Sequence, residues 1–248
     1  KATAKRMAYA LALVKSQAKS CQPLPLTLPI LRTTNVKLYS YFRSSAAYRV
    51  RIGLNLKQLS AEIIPVHLVK DGGQQHSSAY QAINPQQLVP ALDDDGFVLT
   101  QSLSILEYLD EVYAQHPLLP QDPKQRALIR AFSQSIACDI HPINNLRVLQ
   151  YLSHELGVSD EQKSAWYRHW VEVGLAALEV QLKDSNGKFC FGEEATLADC
   201  CLIPQVYNAL RFNIDVSAFP KIQAIYQHCN RLTAFQQAAP DAQIDAAS

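Results

Sequence analysis

The chain of 248 residues is 48% hydrophobic and 18% charged, with 23 Lys and Arg against 22 Asp and Glu. That composition excludes a disordered chain, a collagen-like repeat and a disulfide scaffold, and leaves room for one large domain or two small ones. None of the 8 glycines falls in a GxGxxG or GxxxxGKS/T arrangement, so neither a dinucleotide fold nor a phosphate-binding loop is supported.

Charge is uneven along the chain. No Asp or Glu precedes Glu62, while residues 1–61 hold 11 Lys and Arg, leaving 12 basic and 22 acidic side chains beyond them. Residues 1–35 begin with a basic run, Lys5-Arg6-Met7-Ala8-Tyr9-Ala10-Leu11-Ala12-Leu13-Val14-Lys15, which reads either as an organelle-targeting segment or as an amphipathic appendage. The first reading places the protein in the mitochondrial matrix or another organelle, the second in the cytoplasm. Met7, Leu11 and Val14 share one helical face, after which Pro23, Pro25 and Pro29 favour an extended connector.

From Val36 the pattern changes. Val36 to Tyr41 is rich in strand formers, and Ser45 to Leu56 has helical spacing at Val50, Ile52 and Leu56. Ala61 to Leu68 reads as a second strand, with Pro65 marking a sheet edge or a bulge. Leu88 to Leu92 and Phe97 to Leu99 flank Asp93-Asp94-Asp95-Gly96 as a hairpin. Ser102 to Tyr113 is a helix by Leu103, Leu106, Leu109 and Tyr113. The order is β-α-β, a loop or short helix, then β-β-α.

His116 to Pro123, with three prolines, is a linker, and everything beyond it is helical in period. Ala127, Leu128, Ala131, Phe132 and Ile136 form one stripe, and Trp166, Trp170, Val173 and Ala177 another. Thr196-Leu197-Ala198-Asp199 opens a helix with a capping pair. The division is an extension at 1–35, an α/β domain at 36–115 and an all-α domain at 124–248.

Cys21, Cys138, Cys190, Cys200, Cys201 and Cys229 form no CxxC and no zinc spacing, so no metal is expected and the thiols read as reduced. No apolar run approaches about 18 residues, so no transmembrane segment is expected. The basic segment lacks aromatics interleaved for base stacking, which argues against nucleic acid. His67, His76, His116, His154, His169 and His228 show no ligand spacing, and Tyr39, Tyr41, Trp166 and Trp170 read as core packing.

Three features point to chemistry. The first strand runs into Arg43-Ser44-Ser45 and a helix follows at once, placing hydroxyls where free N–H groups favour an anion; alternatively a serine there simply caps the helix. Pro90 interrupts Leu88-Val89-Pro90-Ala91-Leu92. A cis Val89–Pro90 bond would turn the N–H and C=O of Val89 toward a peptide ligand, whereas an edge-strand proline needs no such role. Gln101-Ser102 lies at another helix start and suits a carboxylate. Together they converge on a short anionic peptide.

This combination resembles the glutathione transferase superfamily, in which a thioredoxin-like domain precedes an all-helical one. Tyr39 to Ser45, Arg49-Val50-Arg51-Ile52, Lys70 to Gln75, Asn84-Pro85, Gln101-Ser102 and Leu118 to Pro123 are similar to the zeta class, the maleylacetoacetate isomerases, over roughly residues 36–240. The resemblance implies glutathione as cofactor, with Ser44 donating to its thiolate beside Ser45. It also implies that Val89 pairs with the cysteinyl unit, Gln101 and Ser102 hold the γ-glutamyl carboxylate, and Gln75 meets the glycyl end. Asn145 matches a ligand contact, and Arg211 would face a small dicarboxylate substrate, with Arg43 or Arg49 as further cations. Arg49 and Arg51 otherwise read as solvated or helix-packing residues. The implied reaction is cis–trans isomerisation of maleylacetoacetate to fumarylacetoacetate in tyrosine and phenylalanine catabolism, with transferase activity beside it, in a homodimer.

The sequence departs from the zeta pattern at Ala46, where a cysteine is usual, at Tyr48 for a tryptophan, at His141 for a glutamine and at Arg147 for a serine. Those changes leave a second reading: an accessory subunit of a larger organelle assembly, docked through residues 1–35, with weakened catalysis.

Overall fold

The computed structural model describes residues 35–246; the helix, connector and location read from residues 1–34, together with Cys21, lie outside the described residues. Strand β1 (Val36–Ser40) leads into helix α1 (Ser45–Leu56), then strand β2 (Glu62–Pro65). Short turns of 3-10 helix follow at Lys70–Gly72 and Gln74–His76, then helix α2 (Ser78–Ile83), strands β3 (Ala91–Asp94) and β4 (Phe97–Thr100), and helix α3 (Ser102–Val112). The sheet order is β2-β1-β3-β4, with β2 parallel to β1 and the other pairs antiparallel. This is the thioredoxin-like arrangement expected from the β-α-β and β-β-α order.

Local chemistry sets the connections. Asp95 and Gly96 have φ of 53° and 89°, as a two-residue hairpin turn requires, and the Gly96 N–H donates to Asp93 Oδ1 at 2.7 Å. Pro65 lies on β2 at the sheet edge, where a missing donor costs least. The third strand begins at Ala91 rather than Leu88, because Val89–Pro90 is cis and precedes the ladder. Since β3 lies between β1 and β4, the edge-strand explanation of Pro90 fails.

The second half is helical. Helix α4 (Pro123–Gln134) continues through a π turn (Ser135–Ile140) and a 3-10 turn (Pro142–Asn144) into α5 (Leu146–His154). Beyond them lie α6 (Asp160–Gln181), α7 (Leu197–Arg211), α8 (Pro220–Cys229) and α9 (Thr233–Ala238). Asp199 is wholly buried and accepts from the N–H and hydroxyl of Thr196 and from the Cys190 N–H, completing the cap of α7.

Two of the apolar stripes take a different register. In α4 the buried side chains are Ile129 and Phe132, continued by Ile136, while Leu128 is 59% exposed and Ala127 and Ala131 face outward. In α6 the core side chains are Tyr167, Val171, Leu175 and Leu178, each one or two positions on from the expected set. Trp166 and Val173 are exposed; the Trp166 indole donates to the Ile143 carbonyl at 3.0 Å, and its ring packs on Trp170. The tryptophans therefore cover the turn before α5 instead of filling the core. The described cysteines are all free, and among the described residues no helix is long and apolar enough to cross a membrane.

Helix α1 is the common wall of both halves. Nine of its 12 residues are buried, and it packs on α3, α7 and α9. A Cβ on Gly53 would overlap the Leu106 side chain, so α1 and α3 can approach closely only with glycine there. At the end of α1, the buried Lys57 Nζ donates to Asp110 Oδ1 at 3.0 Å and to the carbonyls of Gln115 and His116. The Asp110 carboxylate in turn accepts from the N–H groups of Leu118 and Leu119. This node fixes the linker between the halves. Lys57→Met leaves the buried Asp110 carboxylate without its counterion and is expected to lower stability by about 3 kcal/mol, read as a lower urea midpoint at unchanged slope.

Candidate active site

A cleft of about 1330 Å³ opens between the loops of the sheet half and the helices α4, α5 and α7, and it is lined by all eight residues singled out above: Ser44, Ser45, Gln75, Val89, Gln101, Ser102, Asn145 and Arg211. Ser44 is the N-cap of α1, and its Oγ accepts from the Ala47 N–H at 3.2 Å. An accepting hydroxyl still carries its own proton, so capping leaves Ser44 free to donate into the cleft. Ser45 is buried, and its Oγ accepts from the Asn208 amide at 2.6 Å, tying α1 to α7.

The loop that presents Ser44 is braced from behind. Arg51, buried within α1, donates to Ser40 Oγ, to the Phe42 carbonyl and, at 2.9 Å, to the Ala238 carbonyl. The Phe42 N–H donates to Asp245 Oδ2 at 3.0 Å. The C-terminal segment thereby holds the loop from its far side. Arg49 is buried as well, so neither arginine is the solvated residue that the sequence allows.

The remaining residues complete the sheet side. Val89, before the cis bond, is buried against Tyr41, Phe42 and Tyr80, and its N–H and C=O form no hydrogen bond among the described residues. Gln101 has a φ of 71°, unusual for a residue with a side chain, and its amide donates to Gln86 Oε1 at 2.9 Å. Ser102 follows as the first residue of α3 and is buried. Gln75 donates to the Leu68 carbonyl, while its Oε1 is buried without a partner. Gly73, at a φ of 99°, makes room for it: a Cβ there would lie 2.5 Å from Gln75 Nε2.

Across the cleft, Asn145 caps α5 through the Val148 N–H at 3.2 Å. Arg211 ends α7, held by Asn208 Oδ1 and stacked 4.5 Å above the Phe212 ring. Arg43 and Arg147 line the same space, which is therefore cationic. His141 lies among these cations, and burial, then the charges of Arg49 and Arg147, push its pKa down to about 3. It is a neutral imidazole at any working pH.

Two sequence profiles match the chain: "Glutathione S-transferase, N-terminal domain" over residues 38–117 and "Glutathione S-transferase, C-terminal domain" over 148–233. A probable maleylacetoacetate isomerase of Vibrio cholerae is 51% identical over 84% of this chain and 97% of that protein. Among solved structures, a holo maleylpyruvate isomerase, described as a bacterial glutathione transferase of the zeta class, aligns with a TM-score of 0.82 at 44% identity, covering 85% of this chain and 99% of its own. The chain belongs to the zeta class of the glutathione transferases. A maleylacetoacetate isomerase from Methylobacterium extorquens AM1, solved with malonate and glutathione, aligns with a TM-score of 0.81 at 41% identity over 85% of this chain and 99% of that one.

Within this zeta-class cleft, several residues escape sequence reasoning. Gln86 and Asn208 line it and orient Gln101, Ser45 and Arg211, yet each stands in an unremarkable polar or helical run. No periodicity distinguishes an amide that orients a neighbour from one that faces water. Ala46 lines the cleft where the zeta pattern carries cysteine, which leaves the hydroxyls of Ser44 and Ser45 as the polar side chains that the start of α1 brings to the cleft.

Two outcomes follow for catalysis. Ser44→Ala is expected to lower kcat/KM about a hundredfold, as loss of one donor to a reacting anion does, and to raise the pKa of the bound thiol in ultraviolet difference spectra. His141 is expected to add no limb to the profile of kcat/KM between about pH 5 and 8, because burial and the charges of Arg49 and Arg147 keep it neutral across that window; His141→Gln should leave the profile's shape unchanged.

Proposed function

We propose that this enzyme is a glutathione-dependent isomerase that converts maleylacetoacetate to fumarylacetoacetate. The observation that carries the reading is one cleft with a donor-ready Ser44 hydroxyl and Arg43 on the sheet side and the guanidinium groups of Arg147 and Arg211 on the helical side. The residues fit a γ-glutamyl tripeptide. Val89 offers a free backbone pair, Gln75 a buried acceptor without a partner, and Gln101 with Ser102 the start of α3 for a carboxylate. Asn145 stands across from them.

When bound, glutathione supplies the thiolate that adds to the conjugated cis double bond and leaves again once the resulting single bond has rotated. The Ser44 hydroxyl donates a hydrogen bond to that sulfur while keeping its proton, and the N-terminus of α1 adds a favourable field, so the anionic form persists near neutral pH. Arg211 faces one substrate carboxylate; its Nε is committed to Asn208, which fixes the direction of the remaining donors. Arg43 and Arg147 offset the second negative charge. The neutral His141 presents a hydrogen-bonding nitrogen without adding another charge. A homodimer fits the exposed apolar side chains of Phe97 and Val98 on the outer strand β4, with Val112 on α3 and Leu128 on α4.

A second substrate is favoured by one observation. Arg147 and His141 replace a serine and a glutamine of the zeta pattern on the substrate wall, and a maleylpyruvate isomerase is among the structural relatives. Maleylpyruvate carries the same cis double bond between a carboxylate and a ketone on a shorter acid. The docked accessory subunit has no support among the described residues, because it rests on residues 1–35, of which only Asn35 is described.

Isomerisation followed with each substrate, with and without glutathione, tests the proposal. Turnover is expected only with glutathione, and Arg211→Leu is expected to raise KM for the diacid about tenfold. Absence of both turnover and glutathione binding would overturn it, and the ratio of kcat/KM values decides between the two acids.

A further inference from the structure

Arg49 is 2% exposed and lies in the floor of the cleft. Its Nη1 donates to Ser102 Oγ at 3.1 Å, while Nε and Nη2 are buried without any partner. The groups that act on it electrostatically are the thiols of Cys201 and Cys138, and no carboxylate is among them. A guanidinium stays charged even where burial lowers its pKa. The fold therefore keeps a cation in a low-dielectric place with one hydrogen bond and no counterion, an arrangement that is costly unless an anion arrives.

Its single bond is directional. Ser102 Oγ accepts from Arg49, so the Ser102 proton cannot point back at the arginine and must be offered elsewhere. Ser102 is the first residue of α3, whose first turn contains no acidic side chain and leaves its N–H groups unpaired within the helix. The left-handed Gln101 sets the chain's entry to that turn. An unpartnered buried cation, a hydroxyl held as donor and a helix start thus meet at one point.

We infer that Arg49 is a positioning residue, which fixes the Ser102 hydroxyl as a donor to the γ-glutamyl carboxylate of glutathione. The inference rests on the glutathione reading above. It differs from simple helix packing, which would use a methionine of similar length equally well, and from the role of Arg51, whose donors are spent on the backbone.

The test measures the affinity of the full chain for glutathione and for γ-aminobutyryl-cysteinyl-glycine, which lacks that carboxylate, by calorimetry. The proteins are the wild type, Arg49→Met, Ser102→Ala and the double variant. Arg49→Met is expected to weaken glutathione about tenfold and leave the analogue unchanged. In the Ser102→Ala background it should add less than about twofold, since residues acting as a unit are not additive. In turnover the loss should fall on KM for glutathione more than on kcat, with partial rescue by Arg49→Lys. Should the methionine variant not fold, Arg49→Leu, which likewise removes every donor, carries the same comparison. Equal weakening of both ligands, or a full effect of Arg49→Met without Ser102, overturns the inference. Failure of the wild type to bind glutathione would instead remove the functional reading beneath it, and wild-type affinity in Ser102→Ala would remove the role of Ser102.

Discussion

Burying α1 on every side is the constraint from which the rest of the structure follows. A helix wedged between a sheet and a helical layer has no face for solvated side chains, yet α1 carries Arg49 and Arg51 at its centre. Each charge must then find acceptors inside the protein, and those acceptors lie where the site is built. Arg51 spends its donors on Ser40, Phe42 and Ala238, so the loop before Ser44 and the C-terminal segment become one unit. Arg49 reaches the other way, to the start of α3, and keeps two donors unspent. One helix thus presents Ser44 at its tip, braces that tip through one arginine and reaches the start of α3 through the other.

The same helix sets the relation of the two halves. Its last turn supplies Lys57, whose ammonium gathers Asp110 and the carbonyls of the linker, while Asp110 takes the N–H groups beyond it. Gly53 lets α3 lie close, and Ser45 bonds to Asn208 on α7. The walls of the cleft are consequently fixed to a shared axis. A small shift of α1 would move Ser44, Ser102 and Arg211 together, because Arg211 takes its own orientation from Asn208. That coupling suits chemistry in which a sulfur and two carboxylates must be held in one geometry.

What was legible in the sequence were the features with local causes. Asp95-Gly96 specifies its hairpin turn, Thr196 and Asp199 their cap, and the strand–serine–helix step a capped helix start, because each is decided within a few residues. The features that depend on neighbours were less legible. The aromatic stripe of Trp166 and Trp170 outweighs Tyr167 and Val171 in any periodicity, yet Trp166 has an indole N–H to satisfy and finds the Ile143 carbonyl at the surface. In α4, likewise, Ile129 and Phe132 define the buried face, and the alanines beside them pack as well outward as inward. The two arginines of α1 resemble solvated residues because sequence alone does not show that both faces of the helix are covered.

Ser44 shows why those two kinds of information meet at the site. A serine is among the best residues to cap a helix, and its cap bond to Ala47 fixes the rotamer of the hydroxyl. The alternative of a structural cap or a ligand donor is therefore not a choice, since the bond that satisfies the helix also aims the remaining proton. Where the zeta pattern adds a cysteine, this chain has Ala46, so no thiol of the chain stands in the first turn of α1 beside Ser44. The protein's part in the chemistry then reduces to a fixed hydroxyl, a helix terminus and a ring of cations around a neutral imidazole. Each of these is pre-set by a hydrogen bond or a charge already present in the fold, and none requires the protein to reorganise as the double bond turns.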